Sequence, residues 1–525
     1  MPERSAACLS RGASFQGTAF RGIAIIVAGT FARCDSHAKQ KTQQPLSTMK
    51  DKATLIDSYY RIWAFAMPVT SFLVIPSIQG TTIGYLMCFL SVPLVLLFGG
   101  RSRKSWMHFV GAAIFVWLLM LCTTQLADVM APFDPDFSKI ALVDDKDPLT
   151  FILRKSMFTQ SIYVAAVVLY AAYVYYYYRP TWDQWIFAAV TLFALYGIYE
   201  VVFYVLTGSP GDFISNRAFG DQFGRGIVRS DGTVNGSSFQ TVSAGGLSIQ
   251  RLKALTGEPS MYAMSIFPFW IYFNATARVR WPVWIIGLSL LMSTSSTVLI
   301  GYAVFALIRM RKLGINPIKA LIGVFLLAVV AFVLQDYIAD LFQQMVMDKL
   351  EGKNESGSDR AMLFFESLRL WVHASPLNQL FGIGFGYIRS TDLFSTLLVN
   401  TGVVGLVGIS VLMLYPAFKL DWDARGMALR QCCVATWTMM MVSVPEFAYL
   451  APWTFIAMAY VRVRALKLAR KDTREAVPGN AMESSYISTD FGVSVSPNAG
   501  ARLGSPMSAK RPRIRSRMNP PGRHT

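Results

Sequence analysis

The sequence predicts an all-α polytopic membrane protein of about twelve transmembrane helices, with long loops on one side of the membrane. Three observations carry this. Of 525 residues, 53% are hydrophobic and only 15% charged, whereas a soluble domain carries about 25% charge. Apolar runs of about 20 residues, each enough to cross about 30 Å of hydrocarbon, recur along most of the chain. Lysine and arginine gather in alternate connections between the runs, the pattern that orients polytopic proteins.

The first 48 residues are polar apart from an apolar patch at 23–28, too short for a signal sequence. Met49 opens MKDKATLIDSYYRIW, a natural cytoplasmic start. Residues 1–48 are therefore expected to be a disordered or mis-assigned extension, and 49–465 the membrane domain. Hydropathy places spans near 60–78, 81–98, 106–126, 157–177, 184–206, 260–276, 281–295, 297–310, 317–335, 391–417, 428–445 and 449–465.

The charges test this count. Arg101, Arg103 and Lys104, then Arg179, then Arg278 and Arg280, then Arg309, Arg311 and Lys312, then Lys419 and Arg425 fall in alternate connections. Both termini are thus expected in the cytoplasm. The run 281–310 reads either as one long helix or as two short ones around STSST (293–297). Basic clusters at both ends favour two, because one span would put a cluster outside. Arg154 and Lys155 fall outside in this topology; long loops are partly exempt from the rule, or the two charges meet an anionic ligand.

Three outward loops are long: about 127–156, rich in aspartate; about 207–259, rich in Gly, Ser and Arg; and about 336–390. Loops of this length are usually functional or disordered. The tail, 466–525, is basic and rich in Pro, Ser and Gly, and is expected to be disordered in the cytoplasm. It is placed to meet anionic inner-leaflet lipids, or to have no binding role. The net charge of +18 follows membrane orientation rather than a nucleic-acid partner, since no basic-aromatic module is visible. Cys8, Cys34, Cys88, Cys122, Cys432 and Cys433 show no zinc spacing and no disulfide framework. The Cys432–Cys433 pair sits in an apolar run and reads as packing.

The second outer loop carries the chemistry. NRAFGDQFGRGIVRSDG is followed by RLKALTGEPS, so Arg217, Arg225, Arg229 and Arg251 precede Glu258. For the first three a solvated loop is an equal reading. Arg251 and Glu258 border the membrane. Pro259 suits the first turn of a helix, and a carboxylate at a helix N-terminus is stabilised by the dipole. Glu258 is then a helix start, a base, or the partner of Arg251 in a structural ion pair. In the third loop, Met362, Phe365, Leu368 and Trp371 recur at helical spacing, which predicts an amphipathic helix on the outer surface. Arg360 opens it, near an N-terminus that favours anions. GIGFG (382–386) lacks dinucleotide-binding spacing and a preceding strand, and reads as a tight turn. Glu200, inside a span, and Glu446, between the last two spans, are costly acids in lipid and alternative bases.

Three of these stretches resemble the Wzy-type bacterial polysaccharide polymerases, in the superfamily that includes the O-antigen ligases. RLKALTGEPSMYA resembles their Arg…GEPS segment, STSSTVLIGY the Ser/Thr-rich span after it, and DRAMLFF…PLNQLFGIGFG…LLVNTGVVGL the end of the last large outer loop. The resemblance covers roughly 250–410. It implies a membrane glycosyltransferase of the GT-C type, metal-independent and inverting, with no cofactor. Donor and acceptor would be undecaprenyl-diphosphate-linked oligosaccharides at the outer face of a bacterial inner membrane. A chain-length regulator and export machinery would be further partners, with membrane lipids around. The ligases carry a histidine where this chain has Ser390, Thr391 and Asp392, which favours a polymerase. Such a transfer needs a proton acceptor at the attacking hydroxyl and cations on the departing diphosphate, which guanidinium binds bidentately. Glu258, Arg360 and Arg251 are the expected catalytic residues. Arg217, Arg225, Arg229, Arg389 and His373 are the expected substrate-binding residues. A ligase, a lipid-oligosaccharide flippase or other transporter, and a structural subunit of an export assembly are the competing classes. Uneven outer loops without a half-repeat speak against a transporter.

Overall fold

The computed structural model describes residues 46–476, except 77, 79, 132–139, 141, 145–152, 218–226, 229–233, 236–240, 245–246 and 311–354. The expected extension at 1–45, the tail beyond 476, the span near 317–335, Arg225 and Arg229 lie outside the described residues, as does the side chain of Arg360. The chain divides into two units, Met1–Ala469 and Arg470–Thr525.

The first unit is a helical assembly. In chain order the helices are α1 (Leu46–Ala66), α2 (Ile83–Phe98), α3 (Arg103–Met130), α4 (Lys155–Tyr177) and α5 (Asp183–Thr207). After the second long loop come α6 (Pro259–Thr276), α7 (Trp281–Met292) and α8 (Ser296–Met310). Then follow α9 (Glu355–His373), α10 (Pro376–Phe381), α11 (Leu393–Lys419), α12 (Ala424–Ser443) and α13 (Leu450–Ala476). Among the described residues four helices are long and apolar enough to cross a membrane: Gly100–Met130, Lys155–Tyr177, Pro180–Thr207 and Leu393–Lys419. The second long loop also holds two short antiparallel hairpins, β1 (Ile227–Val228) with β2 (Val234–Asn235) and β3 (Thr241–Ala244) with β4 (Leu247–Gln250). An all-α reading of the sequence does not contain them.

The helices share two ends. At one, Asp57 accepts from Arg179 and Trp182, and Asp183 accepts from Tyr178, Tyr272 and Arg425. Arg462 bonds Asp421 and Asp423 there. This end carries Arg179 and Arg425, from two of the basic connections. At the other, the Tyr85 hydroxyl donates to the Ala448 carbonyl at 3.0 Å, Leu252 N donates to Met292 O at 3.1 Å, and Asn216 N to Ser71 O at 3.1 Å. Between the ends lies an aromatic core. Tyr60 stacks on Trp182 with centroids 3.8 Å apart, and Trp63 meets Tyr170 and Tyr173 edge-on. Aromatic side chains of this size dominate core energetics. Cys88, Cys432 and Cys433 are buried free thiols, and Cys432 donates to the Pro268 carbonyl at 3.0 Å.

The expected span 60–78 is helical only in its first part. Helix α1 stops at Ala66, because Pro68 lacks an N–H and restricts the residue before it. Residues beyond it form an extended segment. Thr70 N and Ser71 N both donate to Leu255 O, at 2.9 and 3.0 Å, and Leu73 bridges Thr82.

The STSST stretch is a chain reversal. The Tyr262 hydroxyl lies 2.6 Å from Ser289 Oγ while Trp270 packs on Gly287, so α7 runs antiparallel to α6. Phe267 meets Tyr302 and Trp270 meets Phe305, so α8 runs parallel to it. The two short helices straddle α6.

Helix α9 forms where helical spacing places it. Leu363, Ser367 and Leu370 are buried, while Met362 and Phe365 are exposed. Apolar residues occur on both sides of this helix, so spacing alone does not choose the packed one. GIGFG is the expected tight turn. It clasps a break in α11 at Gly402, φ 64° and ψ −171°. A Cβ on Gly402 would stand 2.3 Å from the Leu380 carbonyl, and one on Gly382 2.3 Å from that of Asn400. Only glycine fits such contacts at positive φ. Asn400 seals the clasp: Oδ1 accepts from Tyr387 N at 3.2 Å and Ile388 N at 2.9 Å, and Nδ2 donates to Ile388 O at 2.7 Å.

Candidate active site

The extended segment after α1 is the middle of a hydrogen-bonded strip. On one side Asn216 N and Arg217 N donate to Ser71 O, at 3.1 and 3.0 Å. The Asn216 amide also brackets Leu73, accepting from its N–H at 2.7 Å and donating to its carbonyl at 2.9 Å. On the other side Leu255 O takes the Thr70 and Ser71 amides, and the Thr70 hydroxyl donates to Thr256 O at 3.2 Å. Arg217 and Glu258 therefore leave opposite edges of one strip. The Arg217 guanidinium donates to Thr70 O at 3.1 Å.

Glu258 is the N-cap residue of α6, extended at φ −135° and ψ 147°, with Pro259 in the first turn. Its carboxylate does not cap the helix. It accepts one hydrogen bond among the described residues, from Ser260 Oγ at 3.3 Å. The turn before α11 brings Arg389, and the turn between α12 and α13 brings Glu446; the two form an ion pair. Glu446 holds the Arg389 guanidinium further toward its charged form.

These groups act on one another. The charge of Arg389 lies within electrostatic reach of Glu446, Tyr449, Glu258 and Tyr163. Tyr449 in turn feels Glu446, Arg217 and Glu258, and Tyr85 feels Arg217 and Glu446. Tyr85 and Tyr163 pack with centroids 5.5 Å apart. Two guanidinium groups, two carboxylates and three phenols thus converge at the end opposite the basic connections. Chemically, guanidinium groups can bind a multiply charged oxyanion, and a carboxylate such as Glu258 can accept a proton.

Of the expected residues, the structure brings together Glu258, Arg217 and Arg389, with Glu446 beside them. Arg251 goes elsewhere: its Nε reaches Thr294 Oγ1 at 3.1 Å and Ser293 O at 3.4 Å, and its Nη2 reaches Thr294 O at 3.1 Å. A cation suits the C-terminal carbonyls of a helix, here those of α7. His373 ends α9, exposed, with Nδ1 2.8 Å from the Arg369 carbonyl of its own helix. Asp392 is a helix cap: it accepts from Ser395 N and Ser395 Oγ, both at 2.7 Å. Arg154 packs over the Tyr387 ring, 3.4 Å from its centroid. Glu200, the alternative acid inside a helix, is fully buried, beside Lys253 and Asp212. Sequence reasoning missed Thr70, Tyr85, Tyr163 and Tyr449, which sit in apolar runs and carry no mark of a site.

No family model matches this chain, and no curated protein matches it.

Proposed function

We propose that this chain is a membrane-embedded glycosyltransferase of the GT-C type. It would join undecaprenyl-diphosphate-linked oligosaccharide repeat units into an exopolysaccharide or O-antigen chain. In this reading the chain has about twelve spans, both termini lie in the cytoplasm, and the Arg217–Glu258 end faces outward across a bacterial inner membrane. The basic residues at the opposite end support that orientation. One observation carries the function: Arg217 and Arg389 converge with a carboxylate, Glu258, that is not spent on an ion pair among the described residues.

Each of these residues has a role in this reading. Glu446 pairs with Arg389 and so orients it. Arg389 and Arg217 take the diphosphate of the donor, where guanidinium groups offer paired donors to phosphate oxygens. Glu258 accepts the proton of the acceptor hydroxyl as that oxygen attacks the anomeric carbon. The bond from that carbon to the diphosphate breaks, its electron pair leaves with the lipid diphosphate, and the configuration inverts.

The test is a reaction in nanodiscs with purified protein and lipid-diphosphate repeat units. A ladder of longer glycans is expected. Glu258→Gln should lower kcat by about 10²–10⁴-fold, and Arg389→Ala by about 10²-fold or more. A ladder that survives Glu258→Gln removes the base assignment. Movement of the lipid across vesicles without a ladder makes the protein a transporter instead.

A further inference from the structure

Beneath the strip lies a buried ion pair that the proposed chemistry does not use. Lys253 Nζ is 2.5 Å from Asp212 Oδ2, and each side chain is 2% exposed. Lys253 belongs to the segment that leads to Glu258, and Asp212 to the loop that leads to Arg217. The other oxygen of Asp212 organises its own loop. Oδ1 accepts from Ser215 N at 3.0 Å, Ile214 N at 3.3 Å and the Tyr196 hydroxyl at 3.5 Å. The loop then continues into Ser215, whose Oγ lies 2.6 Å from Ser71 Oγ, and into Arg217 on the Ser71 carbonyl. On the Lys253 side, its carbonyl accepts from Thr256 Oγ1 at 2.6 Å, and the same hydroxyl reaches Glu258 O at 3.1 Å. The ion pair thus bolts together the two outer edges of a strip whose middle is Thr70–Ser71.

A buried pair of this kind is a poor stabiliser. Exchanging it for apolar groups of similar volume is often neutral or stabilising. Its bonds to both outer edges of the strip give it a geometric role instead. We propose that Lys253 and Asp212 are positioning residues that fix the Arg217 guanidinium relative to the Glu258 carboxylate; the significance of that spacing rests on the reading of Arg217 as a diphosphate ligand and Glu258 as the base.

The experiment uses the full-length protein in nanodiscs. Arginine modification by phenylglyoxal is followed residue by residue by peptide mass spectrometry, with inorganic pyrophosphate as the protecting probe. In D212L/K253M the thermal midpoint is expected to stay near that of the wild type. Arg217 should react about tenfold faster as its loop opens more readily, and pyrophosphate should no longer protect it, while the Arg389 rate stays unchanged. An Arg217 rate and protection equal to wild type overturns the proposal. Should that variant fail to fold, Asp212→Asn is measured instead. Its amide oxygen still accepts from Ser215 while the ion pair is gone, and an unchanged Arg217 rate there overturns the proposal equally. The readout needs no glycosyl transfer. Absence of a glycan ladder would therefore remove the function while leaving the positioning result standing.

Discussion

At the residue scale, Arg251 and Arg217 show how similar sequence signals part in space. Both lie in the second long loop, ahead of Glu258. Arg251 lies seven positions before Glu258, and proximity in sequence favours it as the partner. The fold sends it to the α7–α8 turn, where Thr294 sits at φ 43° and carbonyls need donors. Arg217, far from Glu258 in sequence, meets the Glu258 neighbourhood through hydrogen bonds to residues 70 and 71. No pattern within either segment encodes that pairing, because each half of the strip is an irregular backbone whose partner is another loop. Glu446 was legible as an acid placed at real cost between two spans; its pairing with Arg389 was not. The distinction is testable. Arg251→Gln removes charge-assisted bonds to carbonyls and should lower stability by about 1.5–3 kcal/mol, read as a fall in thermal midpoint, with turnover per folded molecule nearly unchanged. Preserved stability with lost turnover would return Arg251 to the diphosphate.

At the element scale, the helices that the sequence outlines best are those with long uniform apolar runs. Helices α3, α4 and α5 begin and end within a few residues of the expected spans. The failures have local causes. Pro68 ends α1 early. The hairpins at 227–250 are too short for an alternating pattern to declare itself. The most consequential element is the broken α11, because its break holds the GIGFG turn that delivers Arg389. Gly402→Ala puts a methyl group against the Leu380 carbonyl at a backbone angle that alanine avoids. Strain of this kind alone costs about 1–3 kcal/mol, and the contact adds to it. The expected outcome is a sharply lower yield of monodisperse protein in detergent, measured by size-exclusion chromatography. Wild-type yield and thermal midpoint would show that the turn tolerates a shifted α11.

At the scale of the whole molecule, both ends carry ion pairs at the surface, and one end has in addition a buried pair under a strip of loops. That asymmetry predicts an acid response. Burial pushes the Asp212 carboxyl up, but the Lys253 ammonium and the bonds from Lys253 and Ser215 outweigh it and hold the group below the usual carboxylate range. A depressed folded value means that its stabilisation is complete above the ordinary aspartate value of about 3.9. It is lost as pH falls below that value toward the folded one. Between pH 7 and 5 the pair should contribute no slope to the thermal midpoint, and below about pH 4 it should. D212L/K253M should lack that acid slope, so the difference in midpoint between wild type and variant, followed from pH 7 to pH 3, isolates it. A constant difference across the range would show that Asp212 titrates alike folded and unfolded.

Helix α7 has 12 residues, a rise of about 18 Å. The hydrocarbon of a bilayer is about 30 Å deep. A turn at the end of so short a helix lies below headgroup level, and here it is covered by the loop whose Leu252 amide bonds the last carbonyl of α7. In the proposed function a lipid-borne reactant could then meet that loop without being lifted far out of its leaflet.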